Sequence, residues 1–283
     1  MRTHAANPVA EHCGADVFRI YFSSRDERNR SSIGWLELDL RRPLEVLRIA
    51  DHPVVEPGPS GAFDDSGASM GCLAKRADGA RLLYYVGWNL GVTVPWRNSI
   101  GLAVASGPGS EFAKHSRAPI LDRHDADPYS LSYPWVLPDA GRWTMWYGSN
   151  LTWSAAQADM SHVIKRAHSA DGIAWQRDGA TAVGLRSGEI ALARPCVLKD
   201  ADRYRMWYAF RGERYRIGYA ESADGRRWTR LDGHAGIDVS ASGWDSESIE
   251  YPHVFDHGGR RYMLYNGNGY GKTGFGLAVL EAD

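Results

Sequence analysis

The sequence predicts an all-β protein, a five-bladed β-propeller with antiparallel blades around a central channel. Three observations support this fold. A short aromatic segment recurs five times with a period of roughly sixty residues, the spacing expected of radial or solenoid repeats. A proline or glycine stands ahead of each copy, and a shared pair of residues follows each copy. A β-sandwich with accidental internal similarity is the alternative fold.

The repeat is carried by three anchors in each copy. The aromatic segments begin at Tyr21, Tyr84, Trp146, Trp207 and Leu264. The anchors ahead of them are Pro8, Gly71, Pro134, Pro195 and Pro252. The pairs behind them are Ile33-Gly34, Ile100-Gly101, Ile164-Lys165, Ile217-Gly218 and Phe275-Gly276. Short aromatic or β-branched segments bounded by turn residues are typical of strands, so each copy predicts a small antiparallel sheet.

The repeats fill the chain, and we therefore predict one domain over residues 1–283. The predicted blades cover approximately residues 3–57, 62–117, 128–180, 189–236 and 248–283. Between the second and third strands of the third blade lies a long insertion, Leu151 to His162. Loops of this length in a compact fold often carry function.

Composition excludes several classes of function. Lys and Arg number 33 against 34 for Asp and Glu, so no basic surplus favours a nucleic-acid partner. The sequence has no apolar run of transmembrane length, and its first residues lack the apolar core of a signal peptide, so we expect a cytoplasmic protein. The three cysteines do not have metal-ligand spacing, and we predict neither a metal nor a cofactor. The 11 Trp and 14 Tyr residues suit both blade packing and stacking on sugars.

Three carboxylates fall at similar positions when the predicted innermost strands are aligned on their proline or glycine. Asp65 and Glu189 stand six residues ahead of their anchors, and Glu247 stands five ahead. We therefore expect them at about one height near the channel axis, where carboxylates can act as general acid and as base or nucleophile on a glycosidic bond. In the alternative interpretation, Asp65 caps a turn and the two glutamates are solvated rim charges.

A second set of polar and aromatic residues is predicted to bind substrate. It consists of residues after the second strands, beside the proline anchors, or at the entry to an innermost strand. These residues are Arg25, Trp88, Asn150, Arg211, Asn268, Arg194, Tyr251, His253, Asp64 and Glu250. Amides and carboxylates bind hydroxyl groups, arginine binds an acidic group, and indole stacks on a sugar ring. Alternatively, Arg194 forms a buried structural pair with one of the carboxylates, and His253 is a structural histidine.

Several segments also resemble a known group of proteins. They are FDDSG, YYVGWNLGVTVPWRNSIGLA, RPCVLKD, YRIGYAESADG, GWDSES and YMLYNGNGYGKTGFGLAV. Nearly the whole chain is similar to the glycosidase-like five-bladed propellers, which include arabinanases and xylosidases, invertases and mannoside phosphorylases. It is most similar to members associated with polysaccharide or glycolipid biosynthesis. The resemblance implies a pocket with three acidic residues, whose roles we carry to Asp65, Glu189 and Glu247. The first blade departs from the pattern, with His4 and Asn7 where the hydrolases of the group place an aspartate. Either Asp64 or Asp65 takes that role, or the hydrolytic set is incomplete.

These observations predict a carbohydrate-active enzyme, a glycosidase-like hydrolase or transglycosidase acting on a small saccharide or glycoconjugate. Glu247 or Glu189 would be the general acid, Asp65 the base or nucleophile, and Arg194 and Arg211 would hold an anionic group. In a second hypothesis phosphate replaces water, and a pocket that includes His253 and Lys272 binds it. In a third hypothesis the chain is a non-hydrolytic sugar-binding propeller or one recruited to a biosynthetic step. The sequence leaves the oligomeric state open.

Overall fold

The computed structural model describes residues 2–107, 109–139, 141–153 and 160–281. These residues are nearly all β-structure, which confirms the predicted all-β class. Their helices are limited to one 3₁₀ turn, Asp232–His234, and one short helix, α1, at Asn268–Gly271. None of the described helices has the length and apolar character needed to cross a membrane. The predicted insertion Leu151 to His162 lies partly outside the described residues.

The described strands fall into five consecutive groups, and within each group every strand pairs antiparallel with the next along the chain. The first group contains β1 (Thr3–Gly14), β2 (Val17–Arg25), β3 (Ser31–Asp39) and β4 (Val46–Ile49). The second contains β5 (Gly67–Lys75), β6 (Arg81–Leu90), β7 (Trp96–Ala105) and β8 (Ala113–Lys114). The third contains β9 (Leu131–Asp139), β10 (Arg142–Trp153), β11 (Met160–Ser169) and β12 (Gln176–Val183). The fourth contains β13 (Ala191–Lys199), β14 (Tyr204–Arg211), β15 (Tyr215–Ser222) and β16 (Thr229–Arg230). The fifth contains β17 (Glu250–His257), β18 (Arg260–Asn266) and β19 (Phe275–Val279).

Apolar clusters join each group to the next. One cluster packs Tyr21 and Ile33 of the first group against Tyr85 of the second. Others join the second and third groups, the third and fourth, and the fourth and fifth. A further cluster packs Phe18 of the first group against Leu264 of the fifth. The core is therefore divided among the faces between groups, as expected for repeats that cannot bury their own faces alone.

The proline anchors found in the sequence mark a distortion of the first strand in four groups. The residue ahead of the proline has a positive φ: Asn7 (57°), Tyr133 (36°), Arg194 (50°) and Tyr251 (60°). The register with the second strand shifts at or directly beside these positions. Bulges of this kind re-aim a side chain, and here the rings of Tyr133 and Tyr251, from the third and fifth groups, lie 4.9 Å apart.

Tyrosines on the second strands bind aspartates outside the strands. Tyr85 donates to Asp64, Tyr147 to Asp127 and Tyr265 to Asp245. All three aspartates are buried and lie ahead of the first strand of their own group. Each bond fixes a connecting segment against the face of a sheet, so the repeated aromatic segment supplies a structural donor as well as core packing.

Candidate active site

Glu250, the first residue of β17, is the most unusual carboxyl group of the described structure. Its side chain is buried, and the residue is only 1% exposed. Burial raises the pKa of Glu250 to about 8. Hydrogen bonds from Ser248 and from the Tyr270 main chain, together with the charge of Arg211, lower this pKa but do not offset burial. The Oε1 atom has no hydrogen-bond partner among the described residues. Glu250 therefore holds a proton at neutral pH and has one oxygen free to meet a ligand.

Two buried asparagines lie beside this carboxyl group. Asn266 is directly opposite Glu250 in the β17–β18 pair, so the two side chains project to the same face. Asn266 Oδ1 accepts a hydrogen bond from the main-chain N–H of Asn7 at 2.9 Å, and Asn7 Nδ2 donates to Ser23 Oγ at 3.3 Å. Asn266 Nδ2 and Asn7 Oδ1 have no partner among the described residues. Together with Glu250 Oε1 they form a group of unsatisfied buried polar atoms, which a ligand rich in hydroxyl groups would satisfy.

Aromatic rings form one side of the region around Glu250. The Tyr215 ring lies 5.9 Å from Tyr251 and 5.8 Å from Tyr270. The guanidinium carbon of Arg211 is 5.4 Å from the centre of the Tyr215 ring. Arg211 also donates to the Tyr270 hydroxyl at 3.4 Å. These contacts place Arg211, Tyr251 and Glu250, all predicted to bind substrate, in one neighbourhood.

A cationic group of residues lies near the start of β1. Thr3 pairs with Arg25, and α1 packs closely on the main chain of Ala5 and Ala6. Partial burial and the charges of Arg25 and Lys272 lower the pKa of His4. Arg25 donates to Asn29 Oδ1 at 2.7 Å, a contact at the exposed end of the β2–β3 turn.

Arg194 is fully buried and has no carboxylate partner in the described part of the chain. Its guanidinium donates to the main-chain oxygens of Met70 and Gly71 in β5, at 2.9 and 3.1 Å, and to Pro8 in β1, at 3.0 Å. Burial lowers the pKa of Arg194 to about 10, so the group stays charged at neutral pH. Its partners are carbonyl groups rather than the carboxylate of the alternative interpretation, and its substrate-binding role stays a prediction. Its Nε atom has no hydrogen-bond partner among the described residues.

The three predicted catalytic carboxylates hold separate partners. Asp65 accepts hydrogen bonds from the Gly61 main-chain N–H and the Ser66 hydroxyl, both at 2.9 Å. Glu247 is 62% exposed and lies 3.2 Å from Arg214.

Glu189 is bound by both terminal nitrogens of Arg230, at 2.7 Å each, on the outermost strand of the fourth group. No hydrogen bond or ion pair joins any two of the three among the described residues, and their catalytic roles stay predictions.

The ion pair between Glu189 and Arg230 is expected to stabilise the folded protein. Because both side chains are about nine-tenths buried, Glu189→Gln leaves Arg230 short of one counter-charge and is expected to lower the free energy of unfolding by roughly 2–4 kcal/mol. Glu247→Gln, at an exposed pair, should change it by less than about 0.5 kcal/mol. Urea unfolding of the two variants measures the difference, and equal stabilities would contradict a structural role for Glu189.

The remaining predicted binding residues are distributed around the ends of the strands. Asp64 binds Lys114 at 2.6 Å and also accepts a hydrogen bond from Tyr85, and its substrate-binding role stays a prediction. The Trp88 indole donates to Ser31 Oγ at 2.7 Å. Asn150 is buried, its amide nitrogen contacts the Met160 sulfur, and its Oδ1 has no partner among the described residues.

Two further residues have mainly structural surroundings. Asn268 Oδ1 accepts from the main-chain N–H groups of Glu247 and Ser248, at 2.9 and 3.1 Å. His253 is buried beside Trp135, with ring centres 5.4 Å apart, and neither ring nitrogen has a partner within the described ranges. Burial and the nearby charge of Arg194 lower the pKa of His253 to about 3, so the ring is neutral.

Sequence reasoning missed Asn266, Tyr215 and Tyr270. Asn266 could have been found, because the aligned position in the other copies is Ser23, Val86, Gly148 and Ala209, so an amide stands out. Tyr215 and Tyr270 are two among many tyrosines, and only the fold brings them to Glu250. In the described ranges, no cluster of three or more His, Cys, Asp or Glu side chains could hold a metal ion.

Solved structures with similar folds are glycoside hydrolases and related proteins. A protein named "Glycoside hydrolase" aligns with a TM-score of 0.79 and 19% identity, covering 99% of this chain and 88% of its own. A thermostable family-43 glycoside hydrolase gives a TM-score of 0.72 and 15% identity, covering 99% of this chain and 91% of its own. A structure from the GH130 family of mannoside phosphorylases, described as containing hydrolases of β-1,2-mannosidic linkages, gives 0.70 and 16%, covering 98% and 84%.

Closer relatives come from Mycobacterium tuberculosis. "Uncharacterized protein MT1551" of strain CDC 1551 / Oshkosh is 51% identical over 281 residues, covering 99% of this chain and 93% of the relative. "Uncharacterized protein Rv1502" of strain ATCC 25618 / H37Rv is 50% identical over the same length and coverage. No family model matches the chain. At this identity over nearly the whole length, the chain belongs to one family with the two mycobacterial proteins, and it shares its fold with the glycoside hydrolases above.

Proposed function

We propose that the chain is a carbohydrate-active enzyme in which Glu250 donates a proton to the leaving group of a saccharide. The observation that carries the proposal is the group of unsatisfied buried polar atoms around a carboxyl group that is protonated at neutral pH. A hydroxyl-rich ring would satisfy Asn7, Asn266 and Glu250 together. A buried protonated carboxyl group within reach of a glycosidic oxygen is the general acid that glycoside cleavage needs.

The architecture we propose is a single five-bladed propeller over residues 1–283, with the five strand groups as blades. Its support is the succession of apolar clusters, each joining one group to the next and the fifth to the first. Arg194, from the fourth group, also bonds to the first strands of the first and second groups. In this arrangement the starts of the first strands meet at one end of the channel, where Asn7 and Glu250 lie. A cytoplasmic location and a role in polysaccharide biosynthesis stay predictions.

For hydrolysis we propose Asp65 as the second carboxylate. Its contacts are to one main-chain N–H and one hydroxyl, and neither neutralises its charge. A deprotonated carboxylate can activate water or attack the anomeric carbon once Glu250 has protonated the leaving oxygen. Glu189 and Glu247, the acids predicted from the sequence, are favoured less, since one is neutralised by Arg230 and the other is mostly exposed.

Phosphorolysis is the second candidate, and the cationic residues favour it. Arg25 and Lys272 lie near His4, Arg211 lies near Glu250, and a bound phosphate in this region would replace water and its activating carboxylate. The reaction then needs Glu250 as acid and phosphate as nucleophile, without Asp65.

A mass-spectrometric turnover screen tests these proposals. Wild type and Asp65→Asn are incubated with oligosaccharides, sugar phosphates and nucleotide sugars, with and without inorganic phosphate. Turnover without phosphate that is lost in Asp65→Asn supports hydrolysis, whereas phosphate-dependent turnover that survives in Asp65→Asn supports phosphorolysis. Absence of turnover, with thermal stabilisation by a panel sugar, would contradict the enzyme proposal and favour a sugar-binding propeller.

A further inference from the structure

Two neighbouring hairpins carry exposed apolar side chains in and just after the last residues of β6 and β10, close in sequence to Trp88 and Asn150. In the β6–β7 hairpin, Leu90 is 70% exposed and Val92 is fully exposed. In the β10–β11 hairpin, Leu151 is 40% exposed. A contiguous exposed apolar patch can mark a binding site.

The two hairpins are joined by an aromatic pair. Trp96, at the start of β7, and Trp153, at the end of β10, pack edge to face with ring centres 5.4 Å apart. We call Leu90, Val92, Trp96, Leu151 and Trp153 the apolar rim. The pair connects the aliphatic residues of the second group to those of the third, so the rim is one surface rather than two separate tips.

The apolar rim lies directly beside Trp88 and Asn150, two residues that the sequence predicts to bind substrate. Leu90 is two residues beyond Trp88, and Leu151 directly follows Asn150, whose buried Oδ1 has no partner among the described residues. In the proposed propeller these strand ends lie at the same end of the channel as Glu250. A ligand held by the buried polar atoms would therefore open to solvent at the end of the channel where the apolar rim lies.

The chemistry of the apolar rim differs from that of the buried polar atoms around Glu250. Aliphatic side chains cannot hydrogen-bond the hydroxyl groups of a second sugar, and they gain free energy by covering hydrocarbon. Across residues 89–97 and 151–153 the only charged side chain is Arg97. A long oligosaccharide or a polyanion would find few partners on this surface.

We infer that the substrate is an amphipathic glycoconjugate, a saccharide joined to a hydrocarbon aglycone, and that the apolar rim binds the aglycone. The inference rests on the proposed function, because the saccharide is assigned to the site around Glu250. It narrows the substrate class, since a free sugar would leave the rim uncovered.

The test compares methyl and octyl glycosides of glucose, mannose and galactose, below the micellar concentration, by titration calorimetry. Octyl glycosides should bind wild type at least roughly tenfold more tightly than methyl glycosides, a factor that burial of two methylene groups already provides. The rim variant Leu90→Ser/Val92→Ser/Leu151→Ser should lose this gain. The matched control Leu44→Ser/Val46→Ser/Ile49→Ser, three exposed aliphatic residues on or beside β4, should keep it.

The other outcomes separate this inference from the proposed function. Turnover of methyl glycosides without any gain from the octyl chain would overturn the inference and leave the function standing. Binding of octyl glycosides that depends on the apolar rim, without binding of methyl glycosides and without turnover, would support the aglycone site and contradict the proposed enzymatic function. Light scattering on the same variants tests whether a second copy of the chain covers the apolar rim instead. If a dimer is lost only in the rim variant and the length of the alkyl chain has no effect on binding, the rim is an interface between copies and the inference is overturned.

Discussion

Glu250→Gln is expected to lower the turnover number by about 10²–10⁴-fold while changing substrate affinity by less than about tenfold. Glutamine keeps the size of the side chain and its hydrogen-bonding capacity, but it cannot transfer a proton. Because burial raises the pKa of Glu250 to about 8, wild-type turnover should fall as the pH rises through about 8. Steady-state kinetics on the substrate found in the screen measure both effects.

Glu247→Gln is the matched control, since it makes the same change at an exposed glutamate. It should retain wild-type turnover and the wild-type pH profile. A Glu250→Gln protein that keeps its turnover within tenfold, beside a Glu247→Gln protein that loses it, would return the acid role to Glu247 as predicted from the sequence.

The raised pKa of Glu250 can also be tested without a substrate, through the pH dependence of the free energy of unfolding. Its folded pKa of about 8 lies above the ordinary value of 4.5, so the folded protein binds a proton that the unfolded chain releases between those two pH values. The stability from the neutral Glu250 is fully present below pH 4.5 and is lost as the pH rises through about 8. Each unit of difference corresponds to roughly 1.4 kcal/mol, and Glu250→Gln should flatten this part of the stability profile. An unchanged slope would show that Glu250 is already ionised in the folded protein.

The strands were predictable because their signals are local and repeated. Aromatic segments bounded by glycine and proline recur five times, and the structure places a strand at each. The proline anchors also coincide with the register shifts, as at Pro134 and Pro195, because the residue ahead of the proline has a left-handed backbone. The ring of five blades depends on how the groups pack on one another, and that arrangement stays a proposal.

The site was less predictable because spacing places a residue on a strand but does not choose its partner. Glu189 stands six residues ahead of its anchor, as Asp65 does, yet it binds Arg230, which lies 41 residues farther along the chain. The raised pKa of Glu250 depends on its burial in the fold, which outweighs the hydrogen bond from the Tyr270 main chain that lowers the pKa, and spacing in the sequence shows neither. Arg194 shows the same limit, since its sequence context indicates a buried cation but not the carbonyl groups that bind it.

Arg194→Met is expected to lower the free energy of unfolding by roughly 3 kcal/mol or more. Methionine fills a similar space but leaves the main-chain oxygens of Pro8, Met70 and Gly71 without their donors in a buried region. Removing the buried charge recovers part of its desolvation cost, which keeps the net loss below the sum of three separate bonds. Urea unfolding at pH 7 measures the change.

Arg194→Lys separates the charge from the geometry of these bonds. Lysine keeps the positive charge, but its single nitrogen cannot reproduce the two guanidinium nitrogens that reach β1 and β5, so it should also destabilise the protein. Arg227→Met, at an exposed arginine, should change the stability by less than about 0.5 kcal/mol. If Arg194→Met instead had wild-type stability and weakened sugar binding, Arg194 would be the substrate-binding residue that the sequence predicted. Loss of stability in both Arg194 variants would mean that this arginine holds together the first strands of three groups, and that anion binding at the site falls to Arg211 and the cationic residues near His4.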